Sequence, residues 1–270
     1  MLAVLDRYTE LKTVLEPVVA SSLRAEDEMH HLEQSDLLNP VAFSTMMEAV
    51  HYYAAGHASC TITHEAAVWE MGMREIGRAP QYFQKAAKEF YLTSMGVVLY
   101  GNDDLHHTIH TLDHELDQLK FGNTTADIPP PPTQTVADAL FQVGDKWVIE
   151  KQLLLATPDA AGVDHIVEAE ALFMDASAAL VSAMIDAAWA ADKTVQGTKI
   201  STAGNQVMLI EKMLKEATLI VMQHSSTTTE NLMATIQGAF FFVKVLFLSK
   251  GRRYFFACFA FFGQTKNRRS

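Results

Sequence analysis

Three side chains that could bind a metal ion or a haem iron lie on one face of a predicted helix. His57, Cys60 and His64 are spaced i, i+3 and i+7, and imidazole and thiolate are good ligands for Zn²⁺ and for haem iron. A fourth ligand is not apparent in the sequence. The alternative, which the sequence favours, is that the three residues fill the interior of a helix bundle.

Four cations form a second candidate site, for a small anion or a carboxylate. Arg74 and Arg78 are one helical turn apart, and Lys85 and Lys212 are equivalent positions of an internal repeat. Guanidinium groups bind carboxylates and other anions through paired hydrogen bonds. The alternative is that Glu70 and Glu75 pair with the two arginines at the protein surface.

A third group consists of His106, His110 and His114, at i, i+4 and i+8, with Asp113 and Asp117 beside them. Spacing of i, i+4 suits two-histidine metal binding. The same helix has a separate apolar face, so we expect the histidines to flank that face and to contact water. The sequence contains no Gly-x-Ser-x-Gly, no His-Glu-x-x-His and no Gly-rich phosphate loop, and we expect no enzymatic activity.

Composition favours an all-α protein. The chain has 270 residues, 49% of them hydrophobic, with only 13 glycines and 8 prolines. Its formal charge of −11 makes nucleic-acid binding unfavourable. Cys60 and Cys258 are the only cysteines, so there is no disulfide framework. Charged residues appear from Asp6 onward, before any long apolar run, and we therefore predict no secretory signal.

Hydrophobic periodicity predicts long helices. A first helix is predicted over about 2–23, a long one from Pro40 to Tyr100 with a kink at Pro80, and another from Val163 to Gln223 after a break at Pro158 and Gly162. Two shorter helices are predicted between them, joined by the Pro129–Pro132 run. The residues expected to form their apolar faces are Leu105, Ile109, Leu112, Leu116 and Leu119 in one helix, and Val136, Leu140, Val143, Trp147 and Leu154 in the other.

The chain repeats itself. Gly77 and the Lys88-Glu89-x-x-Leu-x-x-Met segment recur 127 residues later, at Gly204 and at Lys215-Glu216. A second match, at an offset of 139, relates the helix around Trp147 to the one around Tyr8. The predicted organisation is a tandem array: residues 1–37 end a preceding module and its connection, 38–157 form a complete four-helix module, 158–237 begin the next, and 238–270 form a divergent tail.

The repeated segment resembles a known family. Ile200-Ser-Thr-Ala-Gly-Asn-Gln-Val-Met-Leu-Ile-Glu-Lys-Met-Leu-Lys-Glu-Ala and Ile76-Gly-Arg-Ala-Pro-Gln-Tyr-Phe-Gln-Lys-Ala-Ala-Lys-Glu are similar to the motif of PilJ-type domains. These are the N-terminal sensory domains of type IV pilus chemotaxis transducers, related to the four-helix domains of nitrate/nitrite sensors. The resemblance covers about residues 1–235. It implies a ligand-sensing helical bundle outside the cytoplasm, with no chemistry of its own.

The sequence departs from the family pattern at its arginines. The position after the glycine is Arg78 in one copy and Asn205 in the other, and the position three after it is Pro80 or Val207. The set of anion-binding arginines is thinner than in the family, and nitrate sensing is not carried over. No kinase core, methylation hairpin or other output domain is found in the chain.

The C-terminal segment 239–263 holds nine of the fifteen phenylalanines. Lys244, Lys250, Arg252 and Arg253 divide it into runs too short to span a membrane. An interfacial membrane anchor is one interpretation, and a module that ends near Gln237 with an unrelated tail is the one that we favour.

The sequence is compatible with two functions. The first is a non-enzymatic sensory or ligand-binding module of a larger receptor, with a small ligand, no resident cofactor, and a homodimer or partner helices. The second is a structural helical array that binds proteins and no small ligand. A metal- or haem-binding bundle using His57, Cys60 and His64 is a weaker third alternative.

Overall fold

A computed structural model describes residues 64–97, 104–126, 128–195, 197–224, 227 and 229–248, together with 9–10 and 13–14. Within these residues the protein is helical and contains no strand; Asn123 and Ile128 form an isolated antiparallel bridge. The helices are α1 (His64–Ile76), α2 (Arg78–Ser94), α3 (Leu105–Phe121), α4 (Gln134–Leu154), α5 (Ala160–Ala191), α6 (Gly197–Val221) and α7 (Thr229–Leu248). The predicted helix over 2–23, the start of the long helix at Pro40 and the tail beyond Leu248 lie outside the described residues.

The predicted long helix ending at Tyr100 is interrupted and ends earlier. Its interruption is at Gly77, between α1 and α2, three residues before the kink predicted at Pro80. Pro80 lies in the first turn of α2, where its missing N–H costs nothing. At the other end, Gly96 takes a φ of 80°, and the amide of Val97 donates to the carbonyl of Leu92 at 3.0 Å. This Schellman motif ends α2 at Ser94.

The two shorter helices confirm the predicted apolar faces. Asp104 caps α3 by accepting from the amide of His106, and Thr133 caps α4 by accepting from that of Val136. All ten residues predicted for the two faces are buried.

The single helix predicted over Val163–Gln223 is wrong. It is two helices, α5 and α6, with a turn at 192–195 in which the Asp192 carboxylate accepts from the backbone and the hydroxyl of Thr194. Gly162 was predicted to break the pattern, but it lies inside α5, whose cap is Asp159. A Cβ at Gly162 would lie 2.8 Å from the Phe90 ring, so this glycine allows α5 to approach α2 closely.

Helix α2 is the centre of the described structure, and it contacts α1, α3, α4, α5 and α6. Phe83 of α2 stacks on Phe173 of α5 with ring centroids 4.7 Å apart, while Phe90 meets Gly162. Helix α5 therefore runs antiparallel to α2. Helices from both sides of residue 158 contribute to one hydrophobic core.

Helix α6 runs parallel to α2. The Gln81 side-chain amide donates to the carbonyl of Gly204 at 3.2 Å, and the Lys88 ammonium lies 3.7 Å from the Glu211 carboxylate. Both pairs are 123 residues apart. Because the sequence repeat has an offset of 127, α6 is displaced from α2 by four residues, about one helical turn.

The repeat is also present in the backbone. Gln223 lies 127 residues after Gly96 and takes a φ of 56°, the only positive φ of a non-glycine residue in the described part of the chain. The amide of His224 donates to the carbonyl of Leu219 at 2.9 Å, which repeats the bond from Val97 to Leu92. Helices α2 and α6 thus end in the same motif, and each is followed by a helix of similar pattern.

Helix α7 is the repeat equivalent of α3. Leu232 and Ile236 are buried, as are their equivalents Leu105 and Ile109. Helix α7 continues to Leu248, past Gln237, where the module was predicted to end; the module boundary itself stays a prediction.

Substitution at position 223 should stabilise the protein. A left-handed conformation costs a residue with a Cβ about 1–2 kcal/mol. Glycine avoids this cost, but it loses more chain entropy on folding, which offsets part of the gain. We expect Gln223→Gly to raise the free energy of unfolding by about 1 kcal/mol in urea titrations. The matched change Gly96→Gln should lower the free energy of unfolding. Changes of the same sign in the two variants would contradict the shared backbone conformation.

Candidate functional site

The two arginines of the predicted anion site surround a buried carboxylate. Glu75 accepts hydrogen bonds from Arg74 and from Arg78, the latter at 2.6 Å, and its side chain is 1% exposed. Burial opposes its ionisation, but the two guanidinium groups outweigh burial and hold the pKa of Glu75 below its usual value. The pairing with Glu75 was predicted, but its location at the surface was wrong.

Arg78 connects α2 to α3. One of its nitrogens donates to the Tyr82 hydroxyl at 2.7 Å and lies 3.0 Å from the carboxylate of Glu115 on α3. The guanidinium also lies over the Tyr82 ring, 5.4 Å from its centroid. Burial raises the pKa of Glu115 even though Arg78 opposes the shift.

The two lysines of the predicted site belong to equivalent polar triads. Lys85 lies 3.0 Å from Glu89 and 3.3 Å from the Thr108 hydroxyl of α3, and Glu89 also interacts with Thr108. The second triad, 127 residues later, consists of Lys212, Glu216 and Thr235, with 3.7 Å between the Lys212 ammonium and the Glu216 carboxylate. The first triad joins α2 to α3, and the second joins α6 to α7.

Burial shifts the carboxylates of both triads. It raises the pKa of Glu89 to about 7, against the opposing effect of Lys85 and Lys88. It also raises the pKa of Glu216. Each carboxylate is therefore easier to protonate than an exposed glutamate.

A buried polar cluster joins the two central helices, α2 and α6, to α4 and α5. Lys215 of α6 is ion-paired with Glu170 of α5, which also accepts from the Gln84 amide at 2.8 Å. Burial lowers the pKa of Lys215, and the interactions with Lys215 and Gln84 hold the pKa of Glu170 below its usual value despite burial.

Tyr91 and Glu150 complete this cluster. The Tyr91 hydroxyl and one oxygen of Glu150 are buried without a hydrogen-bond partner. Burial, together with the nearby charge of Glu170, raises the pKa of Glu150 to about 7 and that of Tyr91 well above its usual value. At neutral pH a large fraction of Glu150 is thus protonated.

The structure does not bring the four predicted cations into one site. One of them, Arg74, lies on α1. Arg78 and Lys85 lie on α2, and Lys212 lies on α6. Each one has a carboxylate partner, so none is held ready for an external anion. Glu150 and Glu170 were not among the residues predicted from the sequence; their only signal there is a glutamate on the apolar side of a helix.

His57 and Cys60 lie outside the described residues, and His64 begins α1 with a side chain that is not described. On α3, His106, His110 and His114 are exposed, as predicted. Asp113 instead accepts from the Trp147 indole at 2.7 Å and pairs with Lys151. In the described part of the chain, no three His, Cys, Asp or Glu side chains are grouped as metal ligands.

Two open grooves lie on the surface of the described residues. One, of about 560 Å³, lies between α3 and α4 and is lined by Leu116, Leu140, Phe141, Trp147 and Val148 among others. The second, of about 520 Å³, lies between α5 and α6 beside Pro80, with Met174, Val181 and Met208 in its wall. Neither groove contains the four predicted cations.

Helix α5 is long and apolar enough to cross a membrane by length and composition, with a mean hydropathy of 1.5 over an 18-residue window. The same helix packs on α2 and α4 through Val163, Ile166, Phe173, Leu180 and Met184, all of which are buried. Only 28% of that window is buried, and one such helix is weak evidence for a membrane span.

Comparison with known proteins gives no family assignment: no protein-family model, no curated protein and no solved structure matches this chain.

The pKa of Glu150 predicts a pH dependence. A carboxyl group whose pKa is higher in the folded protein than in the unfolded chain favours folding at low pH, and this contribution is lost as the pH rises through about 7. We expect Glu150→Gln to raise the melting temperature at pH 8 and to raise it much less at pH 5. The exposed residue Glu168 provides the control Glu168→Gln, and a stabilisation independent of pH would contradict the assigned protonation.

The Lys215–Glu170 pair predicts strong coupling. Removal of one member leaves a buried charge without its counterion, which costs about 3–5 kcal/mol. We expect Lys215→Met to destabilise the protein by this amount in urea unfolding, and the double variant with Glu170→Gln to recover part of the loss. If the two effects simply add, the ions do not interact.

Proposed function

We propose that this chain is a non-enzymatic sensory or ligand-binding module built from tandem helical repeats, of the kind found in the input domains of chemoreceptors. The observation that carries the proposal is the repeated unit itself. Helix α2 with α3, and α6 with α7, share a helix-ending motif and a Lys–Glu–Thr triad at an offset of 127. In the predicted organisation, α1 to α4 belong to the four-helix module over 38–157, and α5 to α7 to the next.

The similarity to PilJ-type domains supports the same proposal. The segments that carry it, around Lys88-Glu89 and Lys215-Glu216, are the central parts of α2 and α6. In the described structure these parts are buried and are in contact with one another through Lys88 and Glu211. The proposed motif thus coincides with the contact between repeats, which is where a signal would pass from one module to the next.

A ligand at the predicted cations would have to replace the carboxylates that are paired with them. Arg78 already holds Glu75 and Glu115, and Lys85 holds Glu89. An anion that binds either cation must displace a carboxylate from α1, α2 or α3. Binding would therefore change contacts between helices, and packed helices respond to such changes by moving between discrete arrangements.

The paired cations favour a second candidate function. Because each of them has a partner within the chain, the same residues serve equally well as structural cross-links. A helical array that binds proteins and no small ligand remains the alternative, and it makes the opposite prediction about small ligands.

A thermal-shift screen of the full chain separates the two functions. The panel contains small anions, carboxylates, amino acids, Zn²⁺ and haem. A ligand at 100 times its Kd stabilises the folded state by about 2.7 kcal/mol, and the sensory function predicts such a shift for an anion. The shift should be lost in Arg78→Gln and Lys85→Gln and retained in Lys193→Gln, an exposed lysine of the α5–α6 turn.

Other results point elsewhere. A shift with Zn²⁺ or haem that disappears in the His57→Ala and His64→Ala variants would establish the metal or haem site instead. A folded chain that no compound stabilises would contradict the sensory function and support the structural array.

A further inference from the structure

The outer face of α4 carries apolar side chains that are exposed in the described part of the chain. Phe141, Val148 and Leu155 are 60%, 57% and 49% exposed and are spaced seven residues apart. Asp145 and Gln152 lie between them on the same face. We name these five residues the outer stripe of α4. A spacing of seven is that of a helix that packs along another helix.

The outer stripe, together with Lys151 of the neighbouring groove, is complementary to itself when two copies run antiparallel about Val148. Phe141 and Leu155 are each seven residues from Val148, so each would meet the other in the second copy. Asp145 and Lys151 are each three residues from Val148, so a carboxylate would meet an ammonium on both sides of the axis. The two Val148 side chains would meet at the axis itself.

The surroundings of the outer stripe allow a close approach. A Cβ built at Gly144 meets no atom within 4 Å, so there is open space over this part of α4. The groove of about 560 Å³ between α3 and α4 lies next to the outer stripe. Lys151 pairs with Asp113, but about a third of its side chain is exposed and can face a second carboxylate.

We propose that the outer stripe of α4 binds the same stripe of a second copy of this chain, antiparallel and with Val148 on the two-fold axis. Phe141 then meets Leu155, and Asp145 meets Lys151, on both sides of the axis, as a two-fold interface requires. A helix of 21 residues is about 30 Å long, so the contact is modest in area, and we expect a dimer that dissociates on dilution.

Sedimentation of the full chain in reducing buffer, over a range of concentrations, tests this interface. Val148→Asp and Asp145→Lys should each weaken the dimer about tenfold or more, because each places like charges side by side at the interface. Leu172→Asp, which changes an equally exposed apolar residue of α5, is the control and should have no effect. A chain that is monomeric throughout, or a dimer that Val148→Asp leaves intact, would overturn the proposal.

A charge exchange tests the pairing. Asp145→Lys and Lys151→Asp should each associate poorly alone, but a mixture of the two variants should form a mixed dimer, because both contacts between the chains then join opposite charges. Failure of the mixture to associate, with both variants folded by circular dichroism, would contradict the pairing of Asp145 with Lys151.

Cysteine cross-linking tests the orientation independently of these charges. In a Cys60→Ser, Cys258→Ser background, the Val148→Cys chain should form a disulfide with itself. The Phe141→Cys chain should link to a Leu155→Cys chain and not to itself. Efficient self-linking of Phe141→Cys would show a parallel arrangement and reject the antiparallel interface.

Discussion

The burial of charge on the two central helices is the constraint on which the rest of the structure depends. Lys88 and Lys215 are almost inaccessible to water, and an ammonium in such a place is stable only with a carboxylate beside it. The carboxylates come from other helices, Glu211 of α6 and Glu170 of α5. The positions of α5 and α6 relative to each other and to α2 are therefore set by ion pairs as well as by apolar packing, and a helix displaced from its place would leave a charge unpaired.

The repeat gives this constraint its regular form. Each central helix continues into a left-handed residue, Gly96 or Gln223, and then into a helix whose threonine interacts with the preceding glutamate. A glutamine at a position that favours glycine shows that the backbone of the repeat is retained even where the residue is not ideal for it. The shared backbone, more than the shared residue types, identifies α2–α3 and α6–α7 as two copies of one unit.

Much of this fold follows from the sequence, and the parts that do not have a common cause. Periodicity located the buried faces of α3 and α4, because a helix that packs on one side must repeat its apolar residues. It failed at Ser94 and at Ala191, where the apolar pattern continues across a turn that is made by Gly96 or by the side chain of Asp192. It also failed for Glu170, because its partner Lys215 lies 45 residues away and periodicity along one helix contains no information about a partner on another.

The parallel contact of α2 and α6 limits how a signal could travel between the repeats. The two helices are displaced by one turn, so equivalent residues do not meet. The buried ammonium of Lys88 therefore faces Glu211 of α6 and not Glu216, which is the repeat equivalent of Glu89. Sliding α6 by less than a turn would separate this pair, which costs free energy because both side chains are buried. A continuous slide is thus opposed at every intermediate position. Motion of α2 and α6 together as one rigid unit, against α3 and α7, keeps the pair intact but breaks the triad contacts of Lys85 and Lys212 and the pair of Arg78 with Glu115.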